Sequence, residues 1–84
     1  MSDIVRNREI VTLYWEPGFR EGGWRFQLPD YKVAFLDALK SEIPVENRSY
    51  DPRTKHWTVC WIHGQAVAEL LDEFFKADVV WVED

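Results

Sequence analysis

The sequence predicts an α+β domain of two layers, a mainly antiparallel sheet with two helices on one face, in the order ββαββαβ. Three observations carry this reading. Residues 10–15 and 24–28 alternate in the period-two manner of strands, residues 31–39 and 67–74 repeat apolar side chains at helical spacing, and Pro or Gly clusters punctuate the segments between them. Each hairpin is followed by one amphipathic helix, and a helix with a single apolar stripe must bury that stripe against the sheet.

The elements follow in order. Residues 10–15 set Val11, Leu13 and Trp15 against Ile10, Thr12 and Tyr14, a strand apolar on both faces. Pro17 and the glycines Gly18, Gly22 and Gly23 then break the pattern into a long hairpin loop. In the second strand Trp24, Phe26 and Leu28 point one way and Arg25 and Gln27 the other, leaving one wet face. Pro29 stops it and Asp30 is placed as N-cap of a helix whose stripe is Tyr31, Phe35, Ala38 and Leu39, widened by Leu36. Lys32, Asp37 and Lys40 fall outside the stripe, and Ile43-Pro44 ends the helix. Residues 47–50 and 55–62 flank Asp51-Pro52-Arg53-Thr54, where Asp followed by Pro suits a type I turn and so a second hairpin. Gly64 separates it from a second helix, with Val67, Leu70, Leu71 and Phe74 on one face and Glu69, Asp72 and Glu73 on others. Residues 79–82 supply a last short strand.

Composition bounds the rest. The chain has 84 residues, 46% of them apolar and 15% aromatic, enough for one small domain spanning residues 1–84 and too apolar for a disordered chain. Cys60 stands alone and cannot form an intrachain disulfide, and residues 1–6 lack the apolar run of a signal peptide. No apolar stretch approaches the roughly 18 residues of a membrane helix. These features favour a reducing, cytoplasmic setting (nuclear in a eukaryote) and no membrane partner. With 15 acidic against 10 basic side chains the net charge is -5, which argues against a general nucleic-acid coat protein, because non-specific binding rests on neutralised phosphates.

No enzyme chemistry stands out. Cys60-x-x-His63 offers half of a zinc site, with only His56 left as a conventional further donor, so neither a metal nor a cofactor is expected. A thiol in an apolar strand is a poor nucleophile, since burial raises its pKa. No Gly-rich phosphate loop occurs, and pairs such as Glu69 and Glu73 are helical neighbours on a solvated face. No catalytic residues are assigned. The charge, however, is polarised. Residues 48–56 carry Arg48, Arg53 and Lys55 against Asp51, a local +2, whereas residues 69–84 carry Glu69, Asp72, Glu73, Asp78, Glu83 and Asp84 against Lys76, a local -5. In the basic segment Arg48, Arg53, Lys55 and His56 interleave with Tyr50, Trp57 and Trp61. Cations that follow phosphates beside rings that stack on bases are what single-stranded nucleic acid binding requires. A plain hairpin would also place polar residues at its tip and aromatics in its core.

The run Phe26-x4-Tyr31, Leu36, Leu39-Lys40, Ile43-Pro44-x3-Arg48-x-Tyr50-Asp51-Pro52-x-Thr54-Lys55-x-Trp57-Thr58-Val59 resembles the HARP domain of annealing helicases. Those are DNA translocases of the Swi/Snf type, and similar segments accompany related bacterial helicases. The resemblance spans about residues 24–75 and is sharpest from Arg48 to Val59. It implies a module that recognises single-stranded or branched DNA, with Arg48, Tyr50, Lys55 and Trp57 at the positions matching its signature. The expectation is thus a non-catalytic accessory domain that binds DNA through the 48–57 hairpin, with Arg48, Tyr50, Arg53, Lys55, His56 and Trp57 as its site. Two alternatives accompany it. One is a protein-interaction adaptor that docks onto a helicase or other nucleic-acid enzyme through Phe19 and Arg20 or through the acidic end, and the other is an acidic decoy whose carboxylates occupy such a partner's DNA site.

Overall fold

The computed structural model describes residues 8–83. Their elements run β1 (Glu9–Glu16), β2 (Gly23–Phe26), α1 (Val33–Glu42), β3 (Arg48–Asp51), β4 (His56–Cys60), α2 (Gly64–Phe75) and β5 (Ala77–Val82), with short 3-10 turns at Val45–Asn47 and Trp61–His63. The expected ββαββαβ order is present. The five strands form one sheet in the order β3-β4-β2-β1-β5. Three neighbouring pairs are antiparallel, and β5 returns to lie parallel to β1, with Val11 opposite Val79 and Leu13 opposite Trp81.

The core lies between one face of this sheet and both helices. Val11 and Leu13 of β1, Trp24 and Phe26 of β2, Trp57 and Val59 of β4 and Ala77 of β5 are buried there. From above, Phe35 and Leu39 of α1, Ile43, and Val67, Leu70 and Leu71 of α2 close the layer. Phe35 sits edge-on to Phe74, 6.1 Å between ring centres, and lies tilted 5.3 Å from Phe75, so aromatic packing joins the two helices. Lys32 adds a polar tie: its ammonium donates to the Phe74 carbonyl at 2.6 Å and lies over the Phe75 ring. A cation at the C-terminal carbonyls of α2 also complements the helix dipole.

At one end of the sheet Trp24 packs edge-on between Trp15 and Trp81, with ring centres 5.1 and 4.9 Å away. Glycines make that cluster feasible. A Cβ on Gly22, whose φ is +121°, would collide with the Trp15 ring, and one on Gly64 would stand 2.9 Å from the Trp24 ring. Gly64 is therefore the buried first residue of α2 and not a spacer ahead of it.

Other expectations need correction. Helix α1 starts at Val33, its N-cap position is Lys32, and no side chain among the described residues caps it. Asp30 instead accepts the adjacent Tyr31 amide at 2.8 Å, and Tyr31 lies outside the helix and largely exposed. The two residues after Pro29 spend their polar groups on a local turn, so the apolar stripe begins only at Phe35. Strand β1 buries one face only: Ile10 and Tyr14 are exposed, because both helices pack on the other side. Strand β2 ends at Phe26, two residues early, and β4 ends at Cys60, where the chain turns through Trp61–His63 to bring Gly64 against Trp24. No helix among the described residues is long and apolar enough to cross a membrane.

Candidate nucleic-acid interface

The β3–β4 hairpin is built on a side chain that organises its own turn. Asp51 accepts the Arg53 amide through its carboxylate at 2.9 Å, and its carbonyl accepts the Lys55 amide at 2.7 Å. Lys55 closes the connection in the left-handed conformation, φ 60°. Pro52 at the first turn position suits this geometry because its φ is already fixed. The amide of Arg53, foremost, holds the Asp51 carboxyl below its ordinary pKa, since that hydrogen bond favours the charged form. Gln27 ties the tip to the end of β2 by donating to the Thr54 carbonyl at 2.8 Å.

Strand alternation then sorts the hairpin's side chains. Tyr50 pairs with Trp57 and Arg48 with Val59, so these four point to the helix side, while Ser49, Asp51, His56 and Thr58 belong to the other. Trp57 is only 8% exposed; Tyr50, at 44%, leans on it with ring centres 4.9 Å apart and planes inclined by 43°. The Arg48 side chain runs back to the end of α1, where its Nε donates to the Ile43 carbonyl at 2.9 Å. That bond leaves the two terminal nitrogens of the guanidinium for other partners and fixes the direction in which they point.

Between this hairpin and α1 lies a groove of about 860 Å³. Its apolar lining is Leu28, Leu36 and Val45 together with the rings of Tyr31, Tyr50 and Trp57. Its charged lining is Lys40, Arg48 and Lys55 against Asp30, three cations and one anion, for a net +2 inside a chain of -5. The groove thus combines exposed rings with cations in a space large enough for a flat, charged ligand.

The structure gathers four of the expected site residues, Arg48, Tyr50, Lys55 and Trp57, in that lining. It does not bring the other two there. Arg53 projects from the tip with its side chain 87% exposed, its Nε 3.5 Å from Asp51. His56 alternates to the opposite face, where its Nδ1 is buried with no hydrogen-bond partner among the described residues. Sequence reasoning missed Tyr31, Lys40 and Asp30. The helical spacing assigns Tyr31 to the stripe, although the Pro29-Asp30 break ahead of it is the available signal that the helix starts later. Lys40 lay on the wet face of α1, and nothing local says that this face borders the hairpin.

The loop between β1 and β2 packs against neighbouring segments. Phe19 is half-buried, its ring 2.9 Å from where a Cβ on Gly23 would stand. Arg20, at φ 53°, donates from its guanidinium to the Glu46 carbonyl at 3.1 Å. The Gly22 amide donates to Phe19 at 2.7 Å, and the Gly22 carbonyl accepts the Trp61 amide at 3.0 Å. Phe19 and Arg20 therefore fasten this loop onto its neighbours.

Cys60 is buried, and His63 shares a hydrogen bond of 3.1 Å with the Asn47 amide group. Among the described residues no three His, Cys, Asp or Glu side chains converge as metal ligands would. No family model matches this chain, and neither the curated proteins nor the solved structures contain a match to it.

Proposed function

We propose that this chain is a non-catalytic, HARP-like DNA-binding domain that takes single-stranded or branched DNA in the groove between α1 and the β3–β4 hairpin. The observation that carries the reading is the convergence of Tyr31 and Tyr50 with Lys40, Arg48 and Lys55 on one open groove. Bases stack on exposed rings whatever their sequence, and each such contact is worth about 1–3 kcal/mol. The cations meet the phosphates on either side. Trp57, almost fully buried, backs Tyr50 and holds its ring in place; Tyr50 and Tyr31 present the stacking surfaces. The resemblance of residues 48–59 to the HARP signature adds DNA as the expected nucleic acid and unpaired or branched structures as the expected form.

The test is fluorescence anisotropy of labelled single-stranded, forked and duplex DNA at low salt. Three cations on three phosphates give a slope of log affinity against log salt of about -2 on single strands, from roughly -0.7 per phosphate. Lys40→Glu with Lys55→Glu abolishes binding, whereas Arg53→Glu, outside the groove lining, weakens it only slightly. Absence of binding to all three DNAs, or binding indifferent to the Lys40 and Lys55 reversals, overturns the proposal.

A further inference from the structure

The two edges of the sheet are protected to different degrees. Edge strand β3 is short, four residues, bears Arg48 and Asp51 at its ends and stands between Pro44 and Pro52. Such charges, prolines and short lengths are the ordinary means of keeping an edge from pairing with another chain. The opposite edge, β5, is longer and carries a single charge. It runs six residues, Ala-Asp-Val-Val-Trp-Val, with no Pro and no Lys. Its single charge, Asp78, is occupied by Arg8, whose Nε donates to it at 2.9 Å. Among the described residues no backbone group of β5 bonds to a backbone other than that of β1, and the Ala77 carbonyl accepts from Arg8 Nη2 at 3.1 Å.

Beside this edge runs a second groove, of about 420 Å³, between β5 and α2. The small side chains of Ala68 and Ala77 leave room in it, and its charged lining is Glu69, Asp72 and Asp78 against Arg8. Arg8 spans Asp72, at 2.6 Å, and Asp78, so Glu69 is the carboxylate there with no ion pair among the described residues. On the other side of the strand Val80 and Val82 are exposed and continue the apolar surface of Ile10 and Tyr14 on β1. An edge with free backbone groups, a groove between that edge and a helix, and apolar flanks are the parts used when an extended peptide is added to a sheet.

We infer that β5 is a docking edge for an extended segment of a partner protein, one that alternates apolar and basic residues and adds to the sheet as a sixth strand beside β5. The charge of the groove selects this occupant. A second copy would bring one net-negative groove, and a chain of -5, against another. A basic strand instead meets Glu69 on one side while its apolar side chains cover Val80 and Val82 on the other. This edge is independent of the DNA groove, so either proposal can fail without the other.

The probe is a soluble peptide of alternating Lys and Val, about eight residues, enough at roughly 3.4 Å per residue to span β5. The controls are the Glu-Val counterpart and a Lys-Val version with a central proline. Titration into the isotope-labelled chain is expected to shift amides of β5 and of the facing side of α2, and to slow the exchange of β5 amides. Glu69→Lys, on an exposed helix position, weakens binding about tenfold by turning an attraction into a repulsion. Equal binding of the Glu-Val peptide, or no response of β5 at about 1 mM Lys-Val peptide, overturns the inference. So does a dimer in sedimentation whose β5 amides are already protected, since the second copy would then be the occupant.

Discussion

Replacing Trp57 by alanine separates the structural work of the hairpin from its proposed binding work. The indole is 8% exposed, lies opposite the fully buried Phe26 in the neighbouring strand, and supports Tyr50 at 4.9 Å. Truncating a buried aromatic of this size leaves a cavity that close-packed neighbours fill only in part, at a cost of about 3–5 kcal/mol. An 84-residue domain has about 4–13 kcal/mol in total, from roughly 0.05–0.15 kcal/mol per residue. The substitution therefore removes a large share of the stability, and in the lower part of that range it unfolds the chain. Tyr50→Ala provides the comparison. Its ring is half-exposed and loses chiefly the aromatic pair, about 0.5–1.5 kcal/mol, so that variant stays folded while surrendering a stacking surface. Guanidinium titration followed by tryptophan fluorescence and circular dichroism measures both, with an unchanged slope as the sign of two-state comparison. A Trp57→Ala loss below about 1 kcal/mol would refute the packing assigned to it and return Trp57 to the list of ligand-stacking residues.

Gly23→Ala is expected to cost more than its single methyl suggests: the new Cβ would stand 2.6 Å from the Val59 carbonyl, a backbone atom fixed by the β2–β4 pairing, and a thermal midpoint within about 1 °C of wild type would contradict this. Asp51 predicts a direction with pH. Its folded carboxyl titrates below the ordinary value of 3.8, so its support of the turn is fully present above that value and is lost as pH falls through the lower folded pKa. The Arg53 amide resonance, followed through an acid titration, should move with a midpoint below 3.8; a midpoint at or above it refutes the carboxylate cap, and Asp51→Asn should remove the transition altogether.

Periodicity made most of this fold legible. The stripes Phe35–Leu39 and Val67–Leu70–Leu71 and the alternation of Trp24 with Phe26 are local consequences of burial on one side, and all of these residues are in the core. The misreadings have two sources, a local turn and packing partners remote in sequence. Tyr31 fits the helical spacing yet lies outside the helix, because Asp30 spends its carboxylate on the Tyr31 amide and turns the chain. Ile10 and Tyr14 look as apolar as Val11 and Leu13, and only the placement of both helices on one side decides which pair is buried. For the site, the pairing of Tyr50 with Trp57 follows from the turn between them, whereas Lys40 joins the groove through the tertiary approach of α1. His56 and Trp57 adjoin in sequence, but adjacency in a strand means opposite faces, and Trp57 alone of the two lines the groove.

The overall charge of -5 need not oppose an anionic ligand in the α1–hairpin groove, and the strand order explains why. Arg48 belongs to β3 and Lys55 to the turn that joins β3 to β4, whereas Asp78 belongs to β5, at the opposite edge of the β3-β4-β2-β1-β5 sheet. Four inter-strand steps of about 4.8 Å separate those edges by about 19 Å. Salt at 0.15 M screens exposed charges beyond about 8 Å, so the acidic edge lies more than two screening lengths from the groove. The charged residues that line the groove itself are Lys40, Arg48, Lys55 and Asp30, a local excess of positive charge. At low salt the screening length grows past the width of the sheet and the acidic edge begins to repel the same phosphates, which flattens the rise in affinity on dilution of the salt. Neutralising the far edge by Asp72→Asn or Glu69→Gln should therefore steepen the salt dependence at the low end and leave it unchanged near 0.15 M. A uniform change across all salt concentrations would mean instead that the acidic edge and the groove share a ligand.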